Sequence, residues 1–266
     1  LKFHPKNLRN TAKITCGNPE SGTQRSDLPV WAPKSANPFA LDKNVNAVSR
    51  VEVDKVPGAF QLRDVLLPEE VQRILDEANK LGFTEDAAVS LPREVRHNQN
   101  LNLIADTETL DVIWKRCQDQ FIDKYNHFAG VKPLGINGRF RFYRYDKGDF
   151  FKMHTDGSWP GSQVVNEQLV DDAFGDRWSM YTFLILLSDD FVGGETQFMV
   201  NRNDPSKPAR RQGHHQENAN IESVRTPSGS VLCFPHGTHP AHCIHGSAPI
   251  LSGTKYIIRT DVLFEL

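Results

Sequence analysis

Arg139-Phe140-Arg141-Phe142-Tyr143-Arg144-Tyr145 alternates with period two, as a β-strand does. Short stretches of similar texture recur at about 149–156, 179–188, 195–200, 229–234, 241–246 and 254–264. Turn clusters such as Asp189-Asp190, Gly193-Gly194, Pro227-Ser228-Gly229 and Ser252-Gly253 separate them. Upstream the period lengthens. Val71, Ile74, Leu75, Ala78 and Leu81 follow helical spacing after Leu67-Pro68-Glu69-Glu70, where proline and two acids suit a helix start, and Gly82 ends the run. Leu110, Ile113, Trp114, Cys117 and Phe121 predict a second helix over about 106–125, with Cys117 in its packed stripe. Helices followed by many short strands predict an α+β chain with a β-sandwich or jelly roll at its heart.

Residues 1–50 break this patterning. They are rich in Asn, Pro, Ser, Lys and Thr, with isolated apolar points at Val30-Trp31 and Phe39, and read as an extended N-terminal arm. The compact domain is expected over 51–266, with a helical part at 51–137 and a jelly-roll core at 138–266. The polar stretch 201–224 reads as a long surface loop, and His214 and His215 within it as solvated histidines. At 266 residues the length suits one domain with an added segment. A formal net charge of −2, with no dense Lys/Arg run, argues against nucleic acid as partner. No apolar run is long enough for a membrane span. Four cysteines without a C-x-x-C pair fit neither a zinc ribbon nor a thioredoxin-like site, and a Cys233–Cys243 disulfide stays open. No N-x-[ST] acceptor occurs, which points to the cytoplasm. The chain begins at Leu1, so a removed leader and the secretory pathway stay open too. The oligomeric state has no sequence signature here.

Met153-His154-Thr155-Asp156-Gly157 is the candidate chemistry. Residues two apart on a strand share a face, so His154 and Asp156 aim at one point. A third imidazole would complete two histidines and a carboxylate on one face of a metal, a set that leaves open positions for non-haem Fe(II) chemistry. H-x-D alone is a weak signal. His236, His239, His242 and His245 are the candidate third ligands; His242 and His245 face opposite ways if one strand carries both, and His245 stands at the suitable distance before Thr254-Lys255-Tyr256.

Four ordered motifs now resemble one family. The prolyl 4-hydroxylase-like Fe(II)- and 2-oxoglutarate-dependent oxygenases read Y-x-x-G-x-x-F/Y-x-x-H-x-D, G-G-E-T-x-F, G-x-x-x-x-F and H-x-x-x-P-x-x-x-G-x-K-Y. This chain has Tyr145, Gly148, Phe151, His154 and Asp156; then Gly193-Gly194-Glu195-Thr196 and Phe198; then Gly229 and Phe234; then His245, Pro249, Gly253, Lys255 and Tyr256. The likeness covers about 138–266. Two departures are Gly246, where the family often has Glu, and the longer spacing from His154 to His245.

The resemblance implies a double-stranded β-helix core with N-terminal supporting helices. It implies Fe(II) held by His154, Asp156 and His245, 2-oxoglutarate as co-substrate, O2, and ascorbate as an added reductant. Lys255 takes the place of the cation that meets the far carboxylate of 2-oxoglutarate, and Tyr145 that of the tyrosine whose hydroxyl reaches it. Thr182 would offer a hydroxyl in the same pocket. Arg259, four residues beyond Lys255 on the same strand face, is open between a site cation and a structural salt bridge. Arg139, Arg141 and Tyr143 stand beside Tyr145 by alternation and would line the site mouth; Arg96 would join them or lie on the surface. The implied reaction hydroxylates an aliphatic C–H, releasing succinate and CO2. A prolyl residue of a protein or peptide is the substrate the family favours; a free amino acid or other small molecule is the alternative. The histidine cluster with Cys233 and Cys243 keeps a zinc-dependent hydrolase or zinc-structured binding module as a further reading.

Overall fold

The computed structural model describes residues 11–16, 28–44, 48–87, 91–122, 128, 130–209 and 219–266. Eight strands form the centre: β1 (Arg139–Tyr145), β2 (Phe150–His154), β3 (Arg177–Leu186), β4 (Thr196–Asn201), β5 (Ala219–Val224), β6 (Val231–Pro235), β7 (Ile244–Ser247) and β8 (Lys255–Glu265). They divide between two sheets. One holds the order β1-β8-β3-β6, and the other β5-β4-β7-β2, so the chain crosses from sheet to sheet as a jelly roll does. Strand dominates over helix throughout.

Alternation sends successive side chains of the larger sheet to two different cores. Phe140, Phe142, Tyr181, Phe183, Val231, Cys233, Ile258 and Val262 join one apolar cluster with Ile74, Ala78, Ile113 and Cys117 of two helices, α1 (Pro68–Leu81) and α2 (Thr107–Cys117). The intervening positions, Tyr143, Tyr145, Leu184, Leu232, Phe234 and Ile257, face the other way into a second cluster with Phe198 of the smaller sheet. A sheet covered on both faces explains why β3, β6 and β8 are buried along nearly their whole length.

α1 begins with the backbone N–H of Leu67 donating to the Glu70 carboxylate at 2.9 Å. Glu70 is sealed from solvent and receives two bonds of 2.7 Å from Arg116 of α2, which clamps the helices together. Arg116 also donates to the carbonyls of Val65 and Asp42, so its charge is bonded on several sides.

The structure departs from expectation in three places. The second helix stops at Cys117; a tight 3-10 turn, Gln118–Gln120, then turns Phe121 onto the rings of Phe60, Trp114 and Phe128. Phe121 keeps its place in the apolar stripe, which is why spacing alone extended the helix. The stretch expected as a loop at 201–224 ends in β5, paired with β4 from Thr196↔Val224 to Asn201↔Ala219. β5 is an edge strand with exposed side chains, so its composition looks like loop. His214 and His215 lie outside the described residues. Thirdly, strand structure precedes and interrupts the helices. Val30–Pro33 pairs in parallel with Gln99–Ile104, which pairs with β1, and Ser49–Glu52 and Phe60–Arg63 extend the opposite edge beyond β6. Where the expected arm is described, it lies in the body: Trp31, Phe39 and Leu41 are buried in the first cluster.

No helix among the described residues is long and apolar enough to cross a membrane. Cys117, Cys233 and Cys243 are free and buried, so the Cys233–Cys243 disulfide is absent.

Candidate metal centre

β2 and β7 are neighbours in the smaller sheet, and their register sets His154 directly opposite His245. The imidazole rings lie 4.3 Å apart between centroids. β2 ends at His154, so Asp156 sits just beyond the strand, where its carbonyl accepts the N–H of Gly237. Its carboxylate reaches back: Oδ1 is 3.7 Å from His154 Nε2 and Oδ2 is 3.5 Å from His245 Nε2. One ligand atom from each residue falls within 4.8 Å of the others. Such spans suit one ion with ligand bonds of about 2.0–2.2 Å. Each imidazole turns Nδ1 toward a backbone carbonyl, His154 to Lys152 at 2.8 Å and His245 to Cys243 at 3.3 Å. Donation from Nδ1–H leaves Nε2 as the free lone pair, the usual way a metal-binding imidazole is oriented.

Protonation agrees. Burial, together with the neighbouring His245, pushes the His154 imidazole down to about 3, and burial lowers His245 as well. Burial alone would raise Asp156, but the Arg259 guanidinium and the two imidazoles outweigh it and hold the carboxyl well below its usual range. The three groups are neutral, neutral and anionic at pH 7, the forms that bind a cation.

Asp156 is held by a chain of hydrogen bonds whose direction is fixed from the carboxylate end. The Trp159 N–H can only donate, and does so to Ser179 Oγ at 2.8 Å. Ser179 Oγ lies 2.9 Å from His236 Nε2, Thr182 Oγ1 lies 2.8 Å from His236 Nδ1, and Thr182 donates to Asp156 Oδ2 at 2.7 Å. The ionised carboxylate can only accept. Thr182 therefore receives the Nδ1–H of His236; burial lowers the His236 imidazole, and in its neutral form Nε2 accepts from Ser179. His236 was one of four candidate ligands in the sequence; it is fully buried and supports the site from behind. Ser179 was not anticipated. It stands an odd three residues before Thr182, and a register shift between Ser179 and Tyr181 brings both side chains to His236, which no spacing rule marks.

In front of the three groups lies a small cavity between the sheets. Tyr143, Tyr145, Thr182, Lys255 and Arg259 line it with His154, Asp156 and His245. β8 pairs Lys255 with Tyr145 of β1. Lys255 is 2% exposed, and Nζ donates to the Gly194 carbonyl at 2.6 Å and to Ser247 Oγ at 3.0 Å. It has no ion pair with an acid among the described residues, and burial pushes its ammonium down to about 7. Gly194 takes φ +69, and a Cβ there would stand 2.3 Å from Ile250, so the turn that offers this carbonyl needs glycine. Tyr145 is also sealed in, and burial raises its phenol, keeping the hydroxyl proton in place. Arg259 reaches both Asp156, at 3.4 Å, and Asp261, at 3.1 Å.

Arg139, Arg141 and Arg96, expected at the site mouth, do not line the cavity. Arg139 pairs with Asp171, Arg141 lies over the Trp159 ring at 4.6 Å, and Arg96 lies over Tyr143 and Phe151. Phe151 in turn stacks on His154, with centroids 3.6 Å apart. Gly246, where the motif departs from the family, has a packing reason: a Cβ there would stand 2.6 Å from the Phe151 carbonyl, so glycine lets β7 close on β2. The zinc reading of the 236–245 cluster finds no second ligand group. Among the described residues only His154, Asp156 and His245 converge, and burial raises the Cys243 thiol to about 12.

No protein-family model and no curated protein matches the sequence. Solved structures do match. A prolyl hydroxylase from Trichoplax adhaerens, in complex with a hypoxia inducible factor oxygen degradation domain peptide fragment, aligns over 78% of this chain and 84% of its own, at 16% identity and a TM-score of 0.50. This chain has a prolyl hydroxylase-like 2OG oxygenase fold. A viral collagen prolyl hydroxylase from Paramecium Bursaria Chlorella virus-1, in a 2OG complex, aligns over 80% of this chain and 99% of its own, at 15% identity and a TM-score of 0.47. At such identities the likeness is one of fold. In that fold the His154–Asp156–His245 group sits between the two sheets of the jelly roll, at the mouth of the cavity that Lys255 closes.

Proposed function

We propose that the chain is an Fe(II)- and 2-oxoglutarate-dependent dioxygenase that hydroxylates an aliphatic C–H. The observation carrying this reading is the pairing, across one cavity, of a two-histidine, one-carboxylate group with a buried lysine that has no ion pair among the described residues. A metal site alone would suit many reactions. A sealed ammonium facing it calls for an anion, and a dicarboxylic keto acid can meet both ends at once. Zinc hydrolysis would leave Lys255 without a task.

His154, Asp156 and His245 would hold the iron, with Thr182 and His236 keeping the Asp156 carboxylate aimed. Lys255 would take the far carboxylate of 2-oxoglutarate, and Tyr145 would donate its hydroxyl to the same end. Fe(II) with 2-oxoglutarate supplies the oxidising chemistry, in which dioxygen is consumed, one oxygen enters the C–H bond, and succinate and CO2 leave. The rest of the protein's part is to exclude water and orient. The apolar walls Leu184, Phe234 and Ile257 keep the cavity dry, which strengthens each ionic contact inside.

A prolyl group is the substrate we put first, and another small-molecule C–H second. Succinate release from Fe(II), ascorbate and 2-oxoglutarate tests the reading. Proline-rich peptides and free amino acids are compared against a no-substrate control. Release stimulated by a substrate in step with its hydroxylation is expected. Substrate hydrolysis sustained by zinc, with no use of 2-oxoglutarate, would contradict it.

A further inference from the structure

Arg141 lies on the inward face of β1, two residues before Tyr143 and four before Tyr145, both of which line the cavity. Its register partner on β8 is Arg259, another lining residue. Part of the side chain is open to solvent, but Nη2 is sealed and has no hydrogen-bond partner among the described residues. The guanidinium rests on the Trp159 ring, a contact that fixes its plane and satisfies none of its N–H groups. A buried donor without a protein partner is met by ordered water or by a ligand.

The charges point the same way. Arg139 is matched by Asp171, and Arg225 by Glu195. Inside, Arg259 is shared by the carboxylates of Asp156 and Asp261, while Lys255 and Arg141 have no ion pair among the described residues. Lys255 would be matched by the far carboxylate of 2-oxoglutarate, which leaves Arg141 without an anionic partner.

We propose that Arg141 is a substrate-anchoring residue that binds one free carboxylate, so that the substrate is a carboxylic acid: a free amino acid or a chain ending at the reacting residue. This rests on the oxygenase reading above and names the substrate class of that site. A carboxylate suits the guanidinium fork and supplies the one negative charge that Arg141 lacks. A capped, internal prolyl residue offers no charge to Arg141.

The test is calorimetric, with Mn(II) in place of iron and 2-oxoglutarate present, so that binding is read without turnover. L-proline and the dipeptide glycyl-L-proline are titrated against their carboxamides, followed by the other amino acids and their amides. At least one acid should bind tenfold or more tightly than its amide. R141Q should erase that difference while leaving the affinity for 2-oxoglutarate within twofold. Amides binding as well as acids, a preference that survives R141Q, or a capped prolyl peptide binding better than every acid would each overturn the proposal. The acid–amide comparison in the unaltered protein stands even if R141Q fails to fold. Absence of Mn(II)-dependent 2-oxoglutarate binding would instead strike the oxygenase reading itself.

Discussion

At the scale of single residues, Lys255 makes the sharpest claim. Its ammonium is buried, bonded to a carbonyl and a hydroxyl, and lowered to about 7 by desolvation. A carboxylate ligand binds the protonated form. The affinity for 2-oxoglutarate should therefore be level below pH 7 and fall with rising pH above it. The sign for stability is opposite: a lysine whose folded pKa lies below its unfolded value binds fewer protons when folded, so the ligand-free protein should gain stability as pH rises from about 7 toward about 10.4. Titrations of 2-oxoglutarate and of urea at several pH values read both slopes. Lys255→Met should weaken 2-oxoglutarate at least tenfold and remove both pH effects, with metal affinity unchanged. Thr182 has a different task. Thr182→Val breaks the chain from His236 to Asp156 and should lower Mn(II) affinity, while Thr182→Ser restores it; equal losses in both variants would mean that the hydroxyl is not what matters. The metal ligands were legible because H-x-D and the distal histidine carry fixed spacing. His236 and Ser179 were not read as a support, because such partners are chosen by proximity across strands, and no interval in the sequence encodes that.

At the scale of elements, the two helices are joined by Glu70 and Arg116. Burial would raise the Glu70 carboxyl, yet the Arg116 hydrogen bonds and the backbone N–H groups of Asp42 and Leu67 hold it below its usual value. A depressed carboxyl contributes stability above its unfolded pKa and loses it as pH falls through the folded one. Arg116→Met leaves that carboxylate buried without its partner and should destabilise by about 3–5 kcal/mol at pH 7. Urea unfolding should show the deficit narrowing at acid pH. The strands of the jelly roll and the apolar spacing of α1 could be read directly from period. β5 could not, because an edge strand exposes polar side chains. Gln99–Ile104 was overlooked although Asn100-Leu101-Asn102-Leu103 alternates, since its neighbours are polar and short. The end of α2 was misplaced because Phe121 continues the stripe through a tighter turn.

At the scale of the whole molecule, one sheet separates two cores with different duties. Its outward side chains pack on the helices, and its inward ones supply Tyr145, Thr182, Lys255 and Arg259 to the cavity. A one-residue slip of β8 would exchange these sets, so folding and site assembly depend on the same register. The second sheet contributes His154 and His245 as a cross-strand pair, which makes the metal group a product of sheet closure. The central claim is that these histidines and Asp156 hold iron beside 2-oxoglutarate. Its most direct test is visible absorption of the anaerobic protein with Fe(II) and 2-oxoglutarate added singly and together. A metal-to-ligand charge-transfer band should appear only with both, vanish in His245→Ala without loss of the folded state, and persist in His242→Ala. No band with both present, or a band indifferent to His245→Ala, would contradict the account.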